Sequence, residues 1–234
     1  MLPERPSTTP RPPSCNDACR HAHRCDATRS EEPALLAMRP SVERVGPFFD
    51  GDRLVQPEAP HRAAFAVLSG LAMTVAAGRV VAFHLPGELF ALDVARSQTH
   101  GASVVAVGKT WFCRFPRAAT DALCEHGGTA ARYLRALRRR ERHVEPRYPD
   151  GPAAERLRGF LADLVERRRR IEGPATFVPL PMSREDIGSY LGMSAATVTR
   201  MLAKLRAAGA IAIRADGVDV LDAEAITASP LRPA

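Results

Sequence analysis

Three features of this 234-residue chain predict an α+β fold built in three parts. Between Val42 and Pro116, short apolar runs alternate with Gly46, Gly51, Gly70, Gly78, Gly87, Gly101 and Gly108. That is the texture of a small antiparallel β-barrel or sandwich. Over residues 127–150, residues recur at alternating spacings of three and four, which predicts one long helix with a continuous seam. Beyond residue 151, two short capped helices separated by a glycine turn precede a hairpin, the pattern of a winged helix-turn-helix.

Composition bounds the function. With 45% hydrophobic and 25% charged residues the chain can build a core, so it is not disordered throughout. No run approaches the ~18–20 apolar residues of a membrane helix. The proline-rich start MLPERPSTTPRPPS lacks the apolar stretch of a secretory signal, so a cytoplasmic protein is expected. Five cysteines then point to thiol, metal or redox chemistry rather than a disulfide framework. The net charge of +7 suits a polyanionic partner, nucleic acid before membrane. The chain has no glycine-rich phosphate loop, no Ser/His/Asp set and no His-Glu-x-x-His, so no enzyme activity is expected.

Residues 1–14 carry five prolines and read as a disordered tail. Cys15, Cys19, His21, His23 and Cys25 follow in one short segment, and residues 31–40 contain a short apolar helix candidate, PALLAM. AFAVLSG, LAMTVAAG, RVVAFHLPG, ASVVAVG and TWFCRFP read as separate strands joined by tight turns, with AAGR as a hairpin turn. Gly127, Ala130, Leu134, Leu137, Glu141, Val144 and Tyr148 form a seam of about three heptads that Pro146 and Pro149 terminate. Such a helix can pair with a copy of itself or pack on its own barrel. Its other face, with Arg132, Arg135, Arg139 and Arg142, is a solvated one.

A further helix is predicted from Pro152, as a first-turn proline, to Ile171. Leu157, Phe160, Leu161, Leu164 and Val165 form its apolar face, and Arg167–Arg170 read as cations complementing its C-terminal dipole. Ser183 can N-cap the next helix, with Asp186 completing a capping-box arrangement. Gly192 permits the turn, Ser194 caps the second helix, and Gly209 ends it. Val198, Met201, Leu202 and Leu205 face inward, which leaves Ala195, Ala196, Thr199 and Arg200 on the outer face, with Lys204 one turn on. These are the positions that reach base edges in the major groove. Arg200 can make a bidentate contact to guanine O6 and N7. Ile211–Leu221 reads as a wing hairpin with an Asp216-Gly217 turn.

In this order of parts, and in the stretches MSREDIGSYLGMS with TVTRML, AFHLPGELFALD and FCRFP, the chain resembles the Crp/Fnr family of bacterial transcription regulators, and within it the oxygen-sensing Fnr branch. The resemblance covers nearly the whole chain after about residue 15. It implies a double-stranded β-helix (jelly-roll) domain of the cyclic-nucleotide-binding type over residues 15–126, a dimerisation helix over 127–150 and a DNA-binding domain over 151–234. It also implies a homodimer on a palindromic duplex through Ser194, Ala195, Ala196, Thr199, Arg200 and Lys204, and contact with RNA polymerase. Dimerisation is assigned to Ala130, Leu134, Leu137, Glu141 and Val144, where Glu141 matches an acidic residue of Fnr-type seams.

By the same resemblance Cys15, Cys19, Cys25 and Cys113 are the ligands of a 4Fe–4S cluster, and Cys124 has no counterpart. The spacing here is C-x3-C-x5-C where the family has C-x2-C-x5-C. His21 and His23 leave zinc open, and thiol oxidation, haem or nitric oxide stand as other signals. Gly87-Glu88 matches the cyclic-AMP cassette, but the stretch Gln98–Ser103 does not supply the Arg-Ser pair that completes it, so cyclic AMP is not expected and Glu88 reads as structural. Ala196 stands where the family has glutamate, which changes the reading of one base pair.

Overall fold

The computed structural model describes residues 41–60, 62–91, 99–118, 120, 121, 132, 151–173 and 176–227, with residues 171 and 172 described for their backbone alone. The tail, the segment bearing Cys15, Cys19 and Cys25, the PALLAM helix, Cys124 and the dimerisation residues Ala130, Leu134, Leu137, Glu141 and Val144 lie outside the described residues.

The N-terminal part is an antiparallel sheet of six strands: β1 (Glu43–Phe48), β2 (Arg53–Val55), β3 (Ala63–Ala76), β4 (Arg79–His84), β5 (Leu89–Phe90) and β6 (Ser103–Pro116). The order is β1-β6-β3-β4, with β2 added on β6 and β5 on β3. Phe65, Val67, Phe90, Val104 and Phe112 fill its interior. Phe112 meets Phe90 edge-on at 5.9 Å, a geometry that adds to simple burial.

Two predicted strand pairs are single long strands. AFAVLSG and LAMTVAAG run on as β3, and ASVVAVG and TWFCRFP as β6, each of 14 residues. Gly70 and Gly108 therefore do not end strands. Gly70, at φ +87°, lies where the β3–β6 register shifts, and a Cβ there would fall 2.5 Å from Thr110 Oγ1 and 2.7 Å from Lys109 O. An isolated glycine in a strand signals a bulge or a close backbone approach as readily as a turn, and here it is both. The AAGR hairpin is present: Ala77 and Gly78, at φ 48° and 75°, join β3 to β4.

Helix α1 (Ala153–Glu172) starts one residue later than predicted, with Pro152 as its N-cap. It is followed by β7 (Phe177–Pro179), α2 (Arg184–Leu191), α3 (Ala195–Ala207), β8 (Ile211–Ile213), β9 (Gly217–Val220) and α4 (Ala223–Thr227). The wing has a third strand, in the order β7-β9-β8. Its turn lies one residue earlier than the Asp216-Gly217 pair, because Arg214 N–H closes it onto Gly217 O and Gly217 already belongs to β9. Gly217 serves the third strand instead, since a Cβ on it would lie within 3 Å of Val178 O and the Phe177 ring.

The sheet and the helices share one core. Leu71, Val80, Phe83 and Val107 from the sheet pack with Leu157, Phe160, Leu161 and Leu164 of α1 and Tyr190 of α2. Phe83 sits 5.9 Å from Phe160 and 5.2 Å from Tyr190. Among the described residues no helix is long and apolar enough to cross a membrane.

Gly70→Ala and Gly78→Ala separate backbone conformation from close approach. Both glycines have positive φ, but nothing lies within 4 Å of a Cβ on Gly78. Urea unfolding should show a loss of ~1 kcal/mol for Gly78→Ala and at least ~2 kcal/mol more for Gly70→Ala.

Candidate nucleic-acid interface

The two helices of the reading unit are fixed by local chemistry. Ser183 Oγ accepts from Asp186 N–H at 3.0 Å, and the Asp186 carboxylate accepts from Ser183 N–H, also at 3.0 Å, closing a capping box on α2. Gly192 ends α2 at φ 64°, ψ 42°, and Ser194 Oγ accepts from Thr197 N–H at the head of α3. Gly188, which sequence analysis did not single out, lets the turn close. A Cβ on it would lie 2.5 Å from Met193 O. The signal was a glycine mid-helix, four residues before the capping glycine.

Val198, Met201, Leu202 and Leu205 bury one face of α3. The other face is open: Ser194, Ala196, Thr199, Arg200 and Lys204 are exposed and Ala195 half-buried. Thr199 Oγ1 donates back to Ala195 O at 3.0 Å, so its hydroxyl proton is engaged within the helix. The polar donors on this face are therefore carried by Arg200 and Lys204, beside the methyl groups of Ala195 and Ala196. At the wing, Arg214 pairs with Asp219 across the hairpin.

A buried polar cluster ties the sheet to α1. Arg167, read from the sequence as a solvated helix-end cation with a phosphate contact as the lesser alternative, is instead 13% exposed and grips Glu88 with two nitrogens. It also donates to Phe83 O and to Asp163. Glu88 accepts in addition from Leu85 N–H at 2.8 Å, which is a structural role. Burial alone would raise the Glu88 carboxyl, but the Arg167 guanidinium more than offsets it and holds the group below the usual range. Burial would also lower the Arg167 value, and the carboxylates of Glu88 and Asp163 raise it instead. His84 stacks on Phe90 at 4.4 Å and bonds Thr74 Oγ1 through Nε2 at 2.7 Å. Burial lowers its pKa to about 4, against a smaller raising effect from Glu88, and Arg167 lowers it further.

Cys113 lies on β6, half-buried, paired with Arg44 on one side and Ala66 on the other. Directly paired residues share a face of the sheet. Arg44 also lies over the Trp111 ring at 5.9 Å, so its cation stands on the face that Cys113 presents. As a half-buried thiol, Cys113 is of the donor type a cluster ligand position takes. The other three cysteines assigned to a cluster lie outside the described residues. No group of three or more His, Cys, Asp or Glu that could hold a metal occurs among the described residues.

Residues 155–228 match the Crp-like helix-turn-helix domain. The chain is 32% identical over 202 residues to the nitrogen fixation regulation protein FixK of Rhizobium meliloti, covering 79% of this chain and 92% of that one. It is 32% identical over 190 residues to the transcriptional activator Anr of Pseudomonas aeruginosa, covering 77% and 78%. The chain belongs to the Crp/Fnr family. The match to FixK of Bradyrhizobium diazoefficiens, 34% identical, spans 62% of each chain. Among solved structures, FixK2 of Bradyrhizobium japonicum superposes with a TM-score of 0.69 at 25% identity, covering 82% of this chain and 99% of that one. As a Crp/Fnr protein this is a transcription regulator, with the cyclic-nucleotide-binding-like sheet and helix-turn-helix of its relatives.

The buried cluster gives this Crp/Fnr protein a pH dependence with one sign. His84 binds its proton at a lower pH when folded, so the unfolded chain holds more protons between about pH 4 and 6.5. Glu88, with its folded value depressed, contributes stability above its unfolded value that is lost as pH falls through the folded one. Stability should therefore fall from pH 6.5 towards 4, by ~3 kcal/mol from His84 alone. His84→Gln should flatten that part of a urea-midpoint profile. Arg167→Met at pH 7 should cost ~3–5 kcal/mol, because it leaves Glu88 buried without its cation. Adding Glu88→Gln should recover part of the loss.

Proposed function

We propose that this regulator binds a palindromic duplex as a homodimer, with α3 of each protomer in successive major grooves about 34–36 Å apart. The single observation that carries this reading is the exposed outer face of a doubly capped α3, with Arg200 and Lys204 as its donors. Arg200 reads a guanine. Ala196 cannot accept a hydrogen bond from cytosine N4, so its methyl makes an apolar contact instead, for which a thymine methyl is the match. Ser194, Ala195 and Thr199 line the same groove. The dimer forms through Ala130, Leu134, Leu137, Glu141 and Val144, and RNA polymerase is the further partner in a cytoplasmic setting.

The signal in this proposal is oxygen or redox state. Cys15, Cys19, Cys25 and Cys113 would hold a 4Fe–4S cluster, which supplies an oxygen-labile centre at the β6 face of the sheet. Cyclic AMP does not enter this reading, since the stretch Gln98–Ser103 supplies no cation for its phosphate.

Duplexes selected from a random pool, bound by wild type and by Arg200→Ala, test the reading. The variant should lose ~1–3 kcal/mol of discrimination at one guanine of each half-site, and unchanged discrimination would overturn the assignment. The signal is tested on protein purified without oxygen. About four iron and four sulfide per chain, bleaching in air and lost from Cys113→Ala, is the expected result. Zinc without iron, or no metal, would overturn the cluster and leave the DNA reader standing.

A further inference from the structure

The hairpin joining β3 and β4 reaches across to the reading unit. Its turn is tight, with Ala77 and Gly78 both at positive φ, and Arg79 and Val80 follow at once. Val80 N–H donates to Ser189 Oγ on α2 at 3.0 Å, which hooks the hairpin onto the reading unit. The exposed Arg79 guanidinium then lies 3.9 Å from the point where a Cβ on Gly192 would stand, at the turn into α3. Arg156 of α1 arrives at the same turn. Its Nη1 lies 3.4 Å from that point and donates to Leu191 O at 2.7 Å and to Gly192 O at 3.2 Å.

Two guanidinium groups from different parts of the fold thus converge on the segment that carries Ser194, the N-cap of α3. Among the described residues no ion pair involves either of them. Like charges brought together repel, and an anion placed between them and solvent relieves the repulsion. In helix-turn-helix docking the N-terminal residues of the second helix enter the groove, so this turn stands beside the phosphates that border it. Helix N–H groups there already favour an anion.

We propose that Arg79, on the hairpin of the sensor sheet, contacts a DNA backbone phosphate flanking the half-site, with Arg156 holding the turn against it. The inference rests on the reading of α3 as the groove helix. It makes the sensor sheet part of the DNA interface. The contact is sequence-independent, because a phosphate contact positions and does not specify. It also depends on how the sheet is seated on α2, since the Val80–Ser189 bond sets where Arg79 stands.

The test is the salt dependence of affinity of the full chain. Binding is measured by fluorescence anisotropy on a duplex carrying the selected palindrome and on a scrambled duplex of equal length. Arg79→Ala should lower the slope of log K against log salt by ~0.9 per protomer. It should weaken binding to both duplexes by a similar factor and leave base preference unchanged, and Arg79→Lys should restore the slope. Arg53→Ala removes the same charge from β2, a strand that pairs with β6, and should leave the slope near that of wild type. A wild-type slope in Arg79→Ala, a change no larger than that of Arg53→Ala, or a loss confined to the selected palindrome would each overturn the phosphate contact. The underlying reading fails in a different way: wild type would then bind both duplexes alike, or Arg200→Ala would leave discrimination intact.

Discussion

The buried pair between Arg167 and Glu88 sets the relation between the two halves of the described structure. Apolar packing of Phe83, Phe160 and Tyr190 supplies adhesion, but packing alone tolerates sliding. An ion pair removed from water behaves differently. Desolvating both groups costs several kcal/mol each, and the cost is offset only when the geometry is met and the remaining donors and acceptors are filled. Here they are filled: Arg167 reaches Glu88, Asp163 and Phe83 O, while Glu88 also takes Leu85 N–H. Moving α1 along the sheet would break several of these bonds together. The pair thus specifies one seating of the sheet on the helix.

From that seating the rest follows by short steps. Helix α1 and the sheet share their core with Tyr190 and Leu191 of α2, and α2 is joined to α3 by a turn in which Gly188 and Gly192 leave little freedom. The orientation of α3 is therefore fixed relative to β4 and β5, and the β3–β4 hairpin arrives at the turn with Arg79. Strand β6 belongs to both ends of this arrangement, since it carries Cys113 on its later half and Val107, a member of the shared core, on its earlier half. The sheet and α3 are thus separated by a few packed elements with little slack.

The reading unit was legible residue by residue because its determinants are local. Ser183 with Asp186, Gly192, Ser194 and Gly209 each act within four residues of themselves, and all stand in the roles their spacing predicts. The presence of strands was legible in the same way, from apolar runs, but their ends were not. Glycine marks turns and bulges alike, and only the partner strand distinguishes them. Gly70 is held by Thr110, forty residues away, and Gly217 by the β7 strand, which sequence analysis did not anticipate.

The sequence by itself thus determined the family, through the stretches that resemble it, and the outer face of α3, through caps, periodicity and side-chain type. Tertiary structure alone decided what Arg167 binds and where Arg79 stands. Arginines in a charged run and at a hairpin tip look solvated in sequence, since nothing within a few residues of either distinguishes burial from exposure. Their surroundings, Glu88 for Arg167 and the Gly192 turn for Arg79, lie 79 and more than a hundred residues away and come near them only when the sheet and the helices pack.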